Sequence, residues 1–309
     1  MRVYRQMPAI WNPEFRREFY RYWGKESAVI CAQARQAEYP EYRQLLSIKA
    51  AFCGTEEYLL GRRQVAVDNE TFLIINGDRT YGSRIRALEP VCSFSIFFDR
   101  QLVSQGFADI HYGPESLLED PTRTAAIIPE FSERLYRHDR LVSPVLRYIR
   151  NQIEQGNESG IWLEEQLRFL LSRMLRLEFD VRKQQERVNA LRASTRREID
   201  RRLARGVDFI CTHFRDPIDL RQIAQAAGLS PFYFLRQFQR VYGCSPGKYL
   251  QERRCREAAC LLQRTSWTMT TIAEHVGYGN RATLYRHIKT LLGVEPGTLR
   301  RADEESSKD

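Results

Sequence analysis

The chain has 309 residues, of which 43% are hydrophobic, and this composition fits two globular domains of ordinary size. It excludes an intrinsically disordered chain, and no segment approaches the ~20 consecutive apolar residues of a membrane helix. The seven cysteines include no Cys-x-x-Cys pair, so neither a disulfide framework nor a zinc framework is indicated. No signal-peptide core follows Met1, and we expect a cytoplasmic protein without membrane contact or cofactor.

Histidine spacing argues against a metal site. The five histidines are His111, His138, His213, His275 and His287. No two of them lie at a spacing typical of metal ligands. We therefore expect no bound metal.

Positive charge is concentrated in the C-terminal third of the chain. The formal net charge is +9, and residues 196–301 alone hold 19 basic and 9 acidic side chains. A basic domain behind a nearly neutral one suggests nucleic-acid binding. A solvated, arginine-rich helical surface would give the same count, so charge alone leaves both interpretations open.

The first half of the chain predicts a strand-rich domain. Residues 1–43 show little periodicity, but turn signals such as Asn76-Gly77 then separate short apolar stretches. Residues 93–97 alternate small polar and apolar side chains, as a half-buried strand does. This spacing favours a small barrel or sandwich. The predicted strands are Leu45–Phe52, Glu56–Leu60, Gln64–Val67, Thr71–Asn76, Tyr81–Arg86 and Val91–Phe98.

Two amphipathic helices are predicted after the strands. Leu141, Val145, Ile149 and Ile153 share one helical face. The second helix carries apolar residues at alternating steps of four and three, which form a heptad seam. This seam predicts packing against the barrel, a homodimer contact, or both. Its residues are Leu163, Leu167, Leu170, Met174 and Leu177.

A charged stretch with few apolar residues marks a domain boundary. After it, Thr195 and Glu198 have the spacing of a capping box and predict the start of a helix. The predicted segments are a first domain at 1–180, a linker at 181–195, a second domain at 196–301 and a polar tail at 302–309.

The second domain contains an internal repeat. Residues 220–246 and 271–296 each combine an Ile-Ala pair, a glycine four residues later, a turn, a helix with an arginine, and Gly-x-x-Pro. The small alanine permits close helix crossing, and the glycine ends the first helix in the left-handed conformation. This is the pattern of a helix-turn-helix, whose second helix lies in the DNA major groove. One copy would also fit any small helical hairpin, but two copies in a basic domain favour DNA binding. The aligned pairs are Ala224 with Ala273, Gly228 with Gly277, and Gly243 with Gly293.

The stretch between the two repeats completes a family signature. It carries Tyr249-Leu250, Arg254, Ala258 and Leu261-Leu262. Residues 206–301 thereby resemble the DNA-binding domain of AraC/XylS-type transcription regulators, in which one long helix joins two helix-turn-helix units. The N-terminal half resembles their cupin-like sensor domain. The resemblance implies an α+β chain, with an N-terminal cupin-like β-barrel, flanking helices and a C-terminal all-α double helix-turn-helix domain.

Outward positions on the second helix of each repeat are the predicted DNA contacts. An arginine binds guanine O6 and N7 in a bidentate pair, although a phosphate contact or a salt bridge stays an alternative for Arg236. Arg254 lies among apolar positions and is predicted to be structural. The predicted base-reading residues are Phe232, Leu235, Arg236, Asn280, Arg281, Thr283, Arg286 and His287. The predicted phosphate contacts are Arg240, Lys248 and Lys289.

The resemblance implies a sequence-specific DNA-binding transcription regulator rather than an enzyme. We expect an activator that responds to a small organic ligand, works with RNA polymerase on double-stranded DNA, and forms a homodimer. One alternative is control by a protein partner or by dimerisation only, and another is a cupin enzyme fused to a DNA anchor. The ligand contacts are not assigned. Candidates for lining a pocket are Tyr58, Phe72, Arg84, Arg86 and Phe94.

Overall fold

The computed structural model of the chain describes residues 1–9, 12–23, 25–61, 63–108, 130–185 and 193–299. Contacts between Cα atoms divide the chain into two compact units, Met1–Gln184 and Gln185–Asp309. The architecture is α+β, with a nearly closed β-barrel in the N-terminal unit and helices carrying the second half. The α+β prediction is therefore confirmed. His111, residues 186–192 of the predicted linker, Arg300 and the predicted tail at 302–309 lie outside the described residues.

The barrel is one sheet of eight strands among the described residues. Its order is β1-β2-β7-β3-β6-β8, with β4 pairing both β5 and β7. Neighbouring strands pair antiparallel, except that β1 lies parallel to β2. The long β7 pairs with three strands and therefore links the two parts of the sheet. The strands are β1 Arg2–Tyr4, β2 Ala28–Arg43, β3 Leu46–Ala51, β4 Thr55–Leu60, β5 Arg63–Asp68, β6 Thr71–Ile75, β7 Thr80–Phe98 and β8 Leu135–Arg137.

Strands β3 to β6 confirm four of the predicted strands, but the longest two differ from prediction. β2 lies in the stretch that showed no periodicity, because register shifts at two places interrupt its alternation. β7 joins the two strands that were predicted separately at 81–86 and 91–98. Its register against β2 shifts between Arg86 and Val91, so Pro90 lies at an irregularity where a proline is tolerated.

Helices cover one face of the barrel and form an apolar core with it. Phe94 and Ile96 of β7 belong to this core together with Leu146 and Ile149 of α3. Burial of such side chains away from water is the main stabilising contribution to the unit. The helices of this unit are α1 Pro13–Tyr22, α2 at 100–108, α3 Ser143–Glu154 and α4 Gly160–Gln185.

The heptad seam of α4 faces this same core. Leu163, Leu167, Leu170 and Met174 are fully buried in it, and Leu177 packs against it. A side chain that is buried within its own protomer offers no surface to a second copy. The assignment of this seam to a dimer contact is therefore wrong, and the alternative of packing against the barrel is confirmed.

The other face of the sheet is also buried. Ser93 and Ser95 are as enclosed as the phenylalanines beside them, and they line a cavity inside the barrel. The prediction of a half-buried strand at 93–97 is wrong, because its polar side chains face this cavity rather than solvent.

The described part of the C-terminal unit contains six helices. α5 includes Ala193, two residues before Thr195, so the prediction of an N-cap at Thr195 is wrong. Alanine is the strongest helix former, which favours a helical Ala193. At the other side of the predicted linker, α4 continues to Gln185, and residues 181–185 are helical. The helices are α5 Ala193–Thr212, α6 Leu220–Ala226, α7 Pro231–Tyr242, α8 Pro246–Arg264, α9 Met269–His275 and α10 Arg281–Leu292.

Among the described residues, none of the helices has the length and apolar character that crossing a bilayer requires.

Candidate nucleic-acid interface

Two helix-turn-helix units are built from α6 with α7 and from α9 with α10, and each starts with a polar cap. Asp219 and Gln222 form a reciprocal capping box at α6, with both hydrogen bonds at 2.8 Å. Thr268 caps α9 and Asn280 caps α10 by accepting backbone N–H groups. These caps satisfy donors that have no partner within the helix and so fix where each helix begins.

Glycines in the left-handed conformation make the turns. Gly228 and Gly277, predicted for this purpose, have φ of 65° and 79°, where other residues are strained. Gly277 is also held close to another segment, because a Cβ atom there would lie 2.4 Å from the carbonyl oxygen of Arg215. Gly243 and Gly293 end α7 and α10 in the same conformation.

The second helices of the two units are equivalent in length and in their C-terminal caps. Each has 12 residues and ends at a glycine cap, so positions fifty apart correspond. Arg236 on α7 therefore corresponds to Arg286 on α10, and both side chains are exposed. The apolar anchors also correspond, since Phe234 and Phe238 are buried on α7 as Leu284 and Ile288 are on α10.

Four of the predicted base readers are exposed on these helices. They are Phe232, Arg236, Arg281 and Arg286. Phe232 is 77% exposed, which is unusual for a phenylalanine in a helix that has an apolar face to bury it. Leu235 and Thr283 are half-buried beside them.

Two further predicted base readers also have partners within the protein. The Asn280 side chain accepts the backbone N–H of Ala282 at 2.7 Å as the cap of α10. His287 corresponds to the buried Gln237, and its Nδ1 lies 2.8 Å from the Tyr278 hydroxyl. These bonds occupy only Oδ1 of Asn280 and Nδ1 of His287, so base reading by the two residues stays a prediction.

The predicted phosphate contacts are all exposed, but they differ in whether a carboxylate of the protein compensates their charge. Arg240 and Lys248 are exposed. Lys289 is exposed too, but its Nζ lies 2.5 Å from Oε1 of Glu295. The other carboxylate oxygen, Oε2, accepts the Tyr285 hydroxyl. Hydrogen bonds from Lys289 and Tyr285 lower the pKa of Glu295. The positive charge of Lys289 is therefore partly compensated within the protein.

Sequence reasoning missed other exposed side chains on the same helices, including two tyrosines and a glutamine. Tyr233 and Gln239 lie on α7, and Tyr285 lies on α10. The spacing could have revealed Tyr285, because it stands four residues after Arg281 and next to Arg286, on the same outward face.

The helix α8 joins the two units. Its 19 residues span about 28 Å at ~1.5 Å per residue. Arg254 donates to the carbonyl oxygens of Phe214 and Asp216 at 2.6 and 2.7 Å, and burial lowers its pKa. These contacts confirm that Arg254 is structural, since it ties α8 to the turn after α5.

Inside the barrel of the N-terminal unit lies a second candidate site, a cavity of about 30 Å³. Of the five side chains suggested for a pocket, only Tyr58 lines it. Phe72 and Phe94 face the helix-covered core, and Arg84 and Arg86 pair with glutamates on the outside of the barrel. Among the described residues, no group of three or more His, Cys, Asp or Glu side chains is placed to hold a metal ion.

The sequence profile of a protein family described as "Helix-turn-helix domain" matches residues 223–302. This range starts within α6 and includes α7 to α10, with both turns and the corresponding exposed arginines Arg236 and Arg286. Residues 223–302 form an AraC-type helix-turn-helix domain. The resemblance drawn from the repeat and from the joining helix is thereby confirmed.

The AraC-type domain is similar to that of named regulators. The HTH-type transcriptional regulator Rv1931c of Mycobacterium tuberculosis is 33% identical over 81 residues, 26% of this chain and 31% of that protein. The multiple antibiotic resistance protein MarA of Escherichia coli is 28% identical over 94 residues, 30% of this chain and 74% of that protein. The arabinose operon regulatory protein of Escherichia coli is 27% identical over 124 residues, 40% of this chain and 42% of that protein. The chain therefore spans less than half the length of two of these relatives.

Proposed function

We propose that this protein is a sequence-specific DNA-binding transcription regulator that reads double-stranded DNA with α7 and α10. The observation that supports it most directly is that Arg236 and Arg286 are exposed at corresponding positions of these two helices. A joining helix of about 28 Å, together with the helix-turn-helix bodies, suits two recognition helices that enter grooves ~34 Å apart. The two helices then contact one face of the DNA.

The exposed residues divide into base readers and phosphate contacts. Arg236, Arg281 and Arg286 reach the guanine edges, and Phe232 contacts a thymine methyl group. Arg240 and Lys248 bind phosphates, which positions the domain without reading sequence. Leu235 and Thr283 are half-buried, and their accessible atoms contact the edges of the bases.

We further propose that residues 1–180 form a cupin-like sensor domain and residues 196–301 the DNA-binding domain. The cavity in the barrel supports a role in binding a small ligand. Such a ligand regulates DNA binding only if it binds one arrangement of the domains better than another. Following the resemblance, we place the protein in the cytoplasm as a homodimeric activator that contacts RNA polymerase. Control by a protein partner or by dimerisation only is the alternative, whereas no observation favours an enzyme.

The experiment is selection of duplex DNA from a random pool by the intact protein. We expect an enriched motif with two blocks about one helical turn apart. Arg236→Lys and Arg286→Lys should each relax one block, because lysine keeps the charge but loses the bidentate pair. Arg240→Ala is the matched control, and it should weaken binding to all sequences equally. Absence of an enriched motif, or a motif unchanged by both lysine variants, would contradict the proposal.

A further inference from the structure

The helix α4 carries large apolar side chains in contact with solvent. Among the described residues, large hydrophobic side chains are exposed in two places, on α7 and α10 of the proposed DNA interface and on α3 and α4 of the N-terminal unit. On α4, Ile161, Phe169 and Phe179 are 86%, 44% and 60% exposed. Grouped apolar side chains of this kind are typical of surfaces that bind another macromolecule. DNA accounts for the first place, and the second needs a partner of its own.

These side chains follow a regular stripe along α4. Its positions are separated by alternating steps of three and four residues, as in the seam of a coiled coil. At ~3.6 residues per turn, the stripe lies on the side of α4 opposite to the buried heptad seam. All of its side chains are exposed or half-buried. This outer stripe consists of Trp162, Glu165, Phe169, Ser172, Arg176 and Phe179.

The outer stripe is complementary to a second copy of itself that runs in the opposite direction. Its six positions are symmetric about the midpoint of residues 162–179. In an antiparallel pair of helices, Glu165 of one copy therefore lies opposite Arg176 of the other, and this ion pair occurs twice. Trp162 lies opposite Phe179 at each end, and aromatic pairs attract beyond the area that they bury.

The charges of the stripe disfavour a parallel pair. In a parallel pair in register, Glu165 would face Glu165 and Arg176 would face Arg176, and both contacts are repulsive. Within one copy, the described residues provide no ion pair to Glu165 or to Arg176, whereas the neighbouring Glu164 pairs with Arg168 at 3.0 Å. Both charges of the stripe are therefore available to a second copy.

The helix is already formed and fixed before it meets a partner. The heptad seam packs into the core of its own unit, so association does not have to order α4 and avoids that entropic cost. At the centre of the stripe, Phe169 of one copy lies opposite Ser172 of the other, and a large side chain beside a small one permits close packing.

We propose that two copies of this chain associate through the outer stripe, with their α4 helices antiparallel about a two-fold axis. This deepens the homodimeric part of the proposed function and rests on it. A two-fold interface uses the same patch on both copies, and the symmetric order of the stripe provides such a patch. A partner of another kind would not require this symmetry.

The test is charge reversal in the intact protein, followed by sedimentation analysis without DNA at low salt. The wild type should be a dimer. Glu165→Arg and Arg176→Glu should each weaken the dimer at least about tenfold, because each replaces two attractive pairs by two repulsive pairs. At a concentration where each variant alone is monomeric, an equimolar mixture of the two should form a heterodimer, because every arginine then faces a glutamate. The double variant should dimerise as the wild type does.

Glu164→Arg is the matched control. It makes the same change of charge on the same helix but outside the outer stripe, so the dimer should be unaffected. Because the substituted side chains are all exposed, every variant should keep the melting behaviour of the N-terminal core. The effect of the two reversals should shrink at high salt, which screens exposed charges.

The outcomes separate this interface from the rest of the proposed function. Single variants that stay dimeric, or a mixture that stays monomeric, would refute the outer stripe as the contact and leave the homodimer intact. A monomeric wild type would refute the homodimer together with its interface. DNA recognition by α7 and α10 is tested independently by the selection experiment.

Discussion

At the residue scale, Glu295 contacts two side chains of α10, the helix that we propose reads DNA. Its carboxylate binds Lys289 and Tyr285, both exposed beside Arg286. An acidic group next to the proposed DNA face repels phosphates and competes for the lysine charge. We therefore expect Glu295 to weaken non-specific binding at the proposed interface.

We predict that Glu295→Gln increases affinity for all DNA sequences. The freed Lys289 neutralises one more phosphate, so the slope of log affinity against log salt should become steeper by ~0.9. Fluorescence anisotropy over a salt series measures this slope. The double variant with Lys289→Ala is the control and should restore the original slope; a slope that stays steep in the double variant would assign the effect to another cation.

His138 is a second residue with a measurable consequence. Burial, together with the charge of Arg147, lowers its pKa to about 4. The ring is held between Phe52 and Phe72, and its Nδ1 lies 2.9 Å from the Ser143 hydroxyl. Its Nε2 is buried without a hydrogen-bond partner among the described residues, so a proton added there would be poorly accommodated.

This lowered pKa predicts a pH-dependent stability of the N-terminal unit. Between pH 6.5 and 4 the unfolded chain binds the proton and the folded chain does not, so the free energy of unfolding falls as the pH falls. The loss reaches up to ~3 kcal/mol at about 1.4 kcal/mol per pKa unit. Chemical denaturation of the wild type and of His138→Gln at several pH values isolates the contribution of His138, because all carboxylates titrate in both proteins. Parallel pH profiles for the two proteins would refute the assignment.

At the element scale, the turns of the two helix-turn-helix units are alike in backbone but differ in their surroundings. Gly228 and Gly277 both have positive φ. A Cβ atom at Gly228 meets nothing within 4 Å, whereas one at Gly277 collides with the carbonyl oxygen of Arg215. Substitution to alanine at the two positions therefore separates backbone strain from close packing.

We predict that Gly228→Ala costs ~1–2 kcal/mol, the strain of a left-handed residue. Gly277→Ala should cost clearly more, since the chain after α5 must also move. Thermal unfolding of the two variants compares them directly. Equal losses of stability in the two variants would mean that the backbone at Arg215 moves away from the new Cβ atom without a measurable free-energy penalty.

The sequence predicted those helices and strands whose signals lie within the element itself or in the turns beside it. The helices of the C-terminal unit show a regular repeat of apolar residues, which arises from one buried face. Strands β3 to β6 are short apolar stretches between local turn signals. β2 loses that repeat where its register shifts, and β1 and β8 are three-residue strands whose partners lie far away in sequence. Long-range pairing of this kind leaves no periodic signal.

The candidate site was likewise predictable only where its signals are local in sequence. The repeat identified the two helices that we propose read DNA, and helical spacing identified their exposed arginines. The inward positions of His287 and of the polar barrel residues depend on tertiary packing. A histidine that bonds to Tyr278 and a serine that faces a cavity have the same sequence signature as exposed ones.

At the scale of the whole molecule, charge and polarity are distributed for different tasks. The C-terminal unit carries exposed arginines on two equivalent helices, and the N-terminal unit encloses its polar groups within a barrel. A homodimer would place two such DNA-binding domains on one DNA and raise the affinity through effective concentration. The heptad seam does not supply this contact, so any contact through α4 must use its exposed residues, which include Ile161 and Phe179 at 86% and 60% exposure.

We predict opposite outcomes for charges placed on the two faces of α4. Leu167→Glu with Leu170→Glu buries two carboxylates in the core and should unfold the N-terminal unit. Ile161→Glu with Phe179→Glu leaves that core intact, and the protein should stay folded. If the exposed face mediates dimerisation, light scattering should then show a folded monomer where the wild type is a dimer.

If the wild type is a dimer and the exposed-face variant is still a dimer, the contact does not involve the exposed face of α4. A folded monomer in the Leu167/Leu170 variant would instead contradict the burial of the seam.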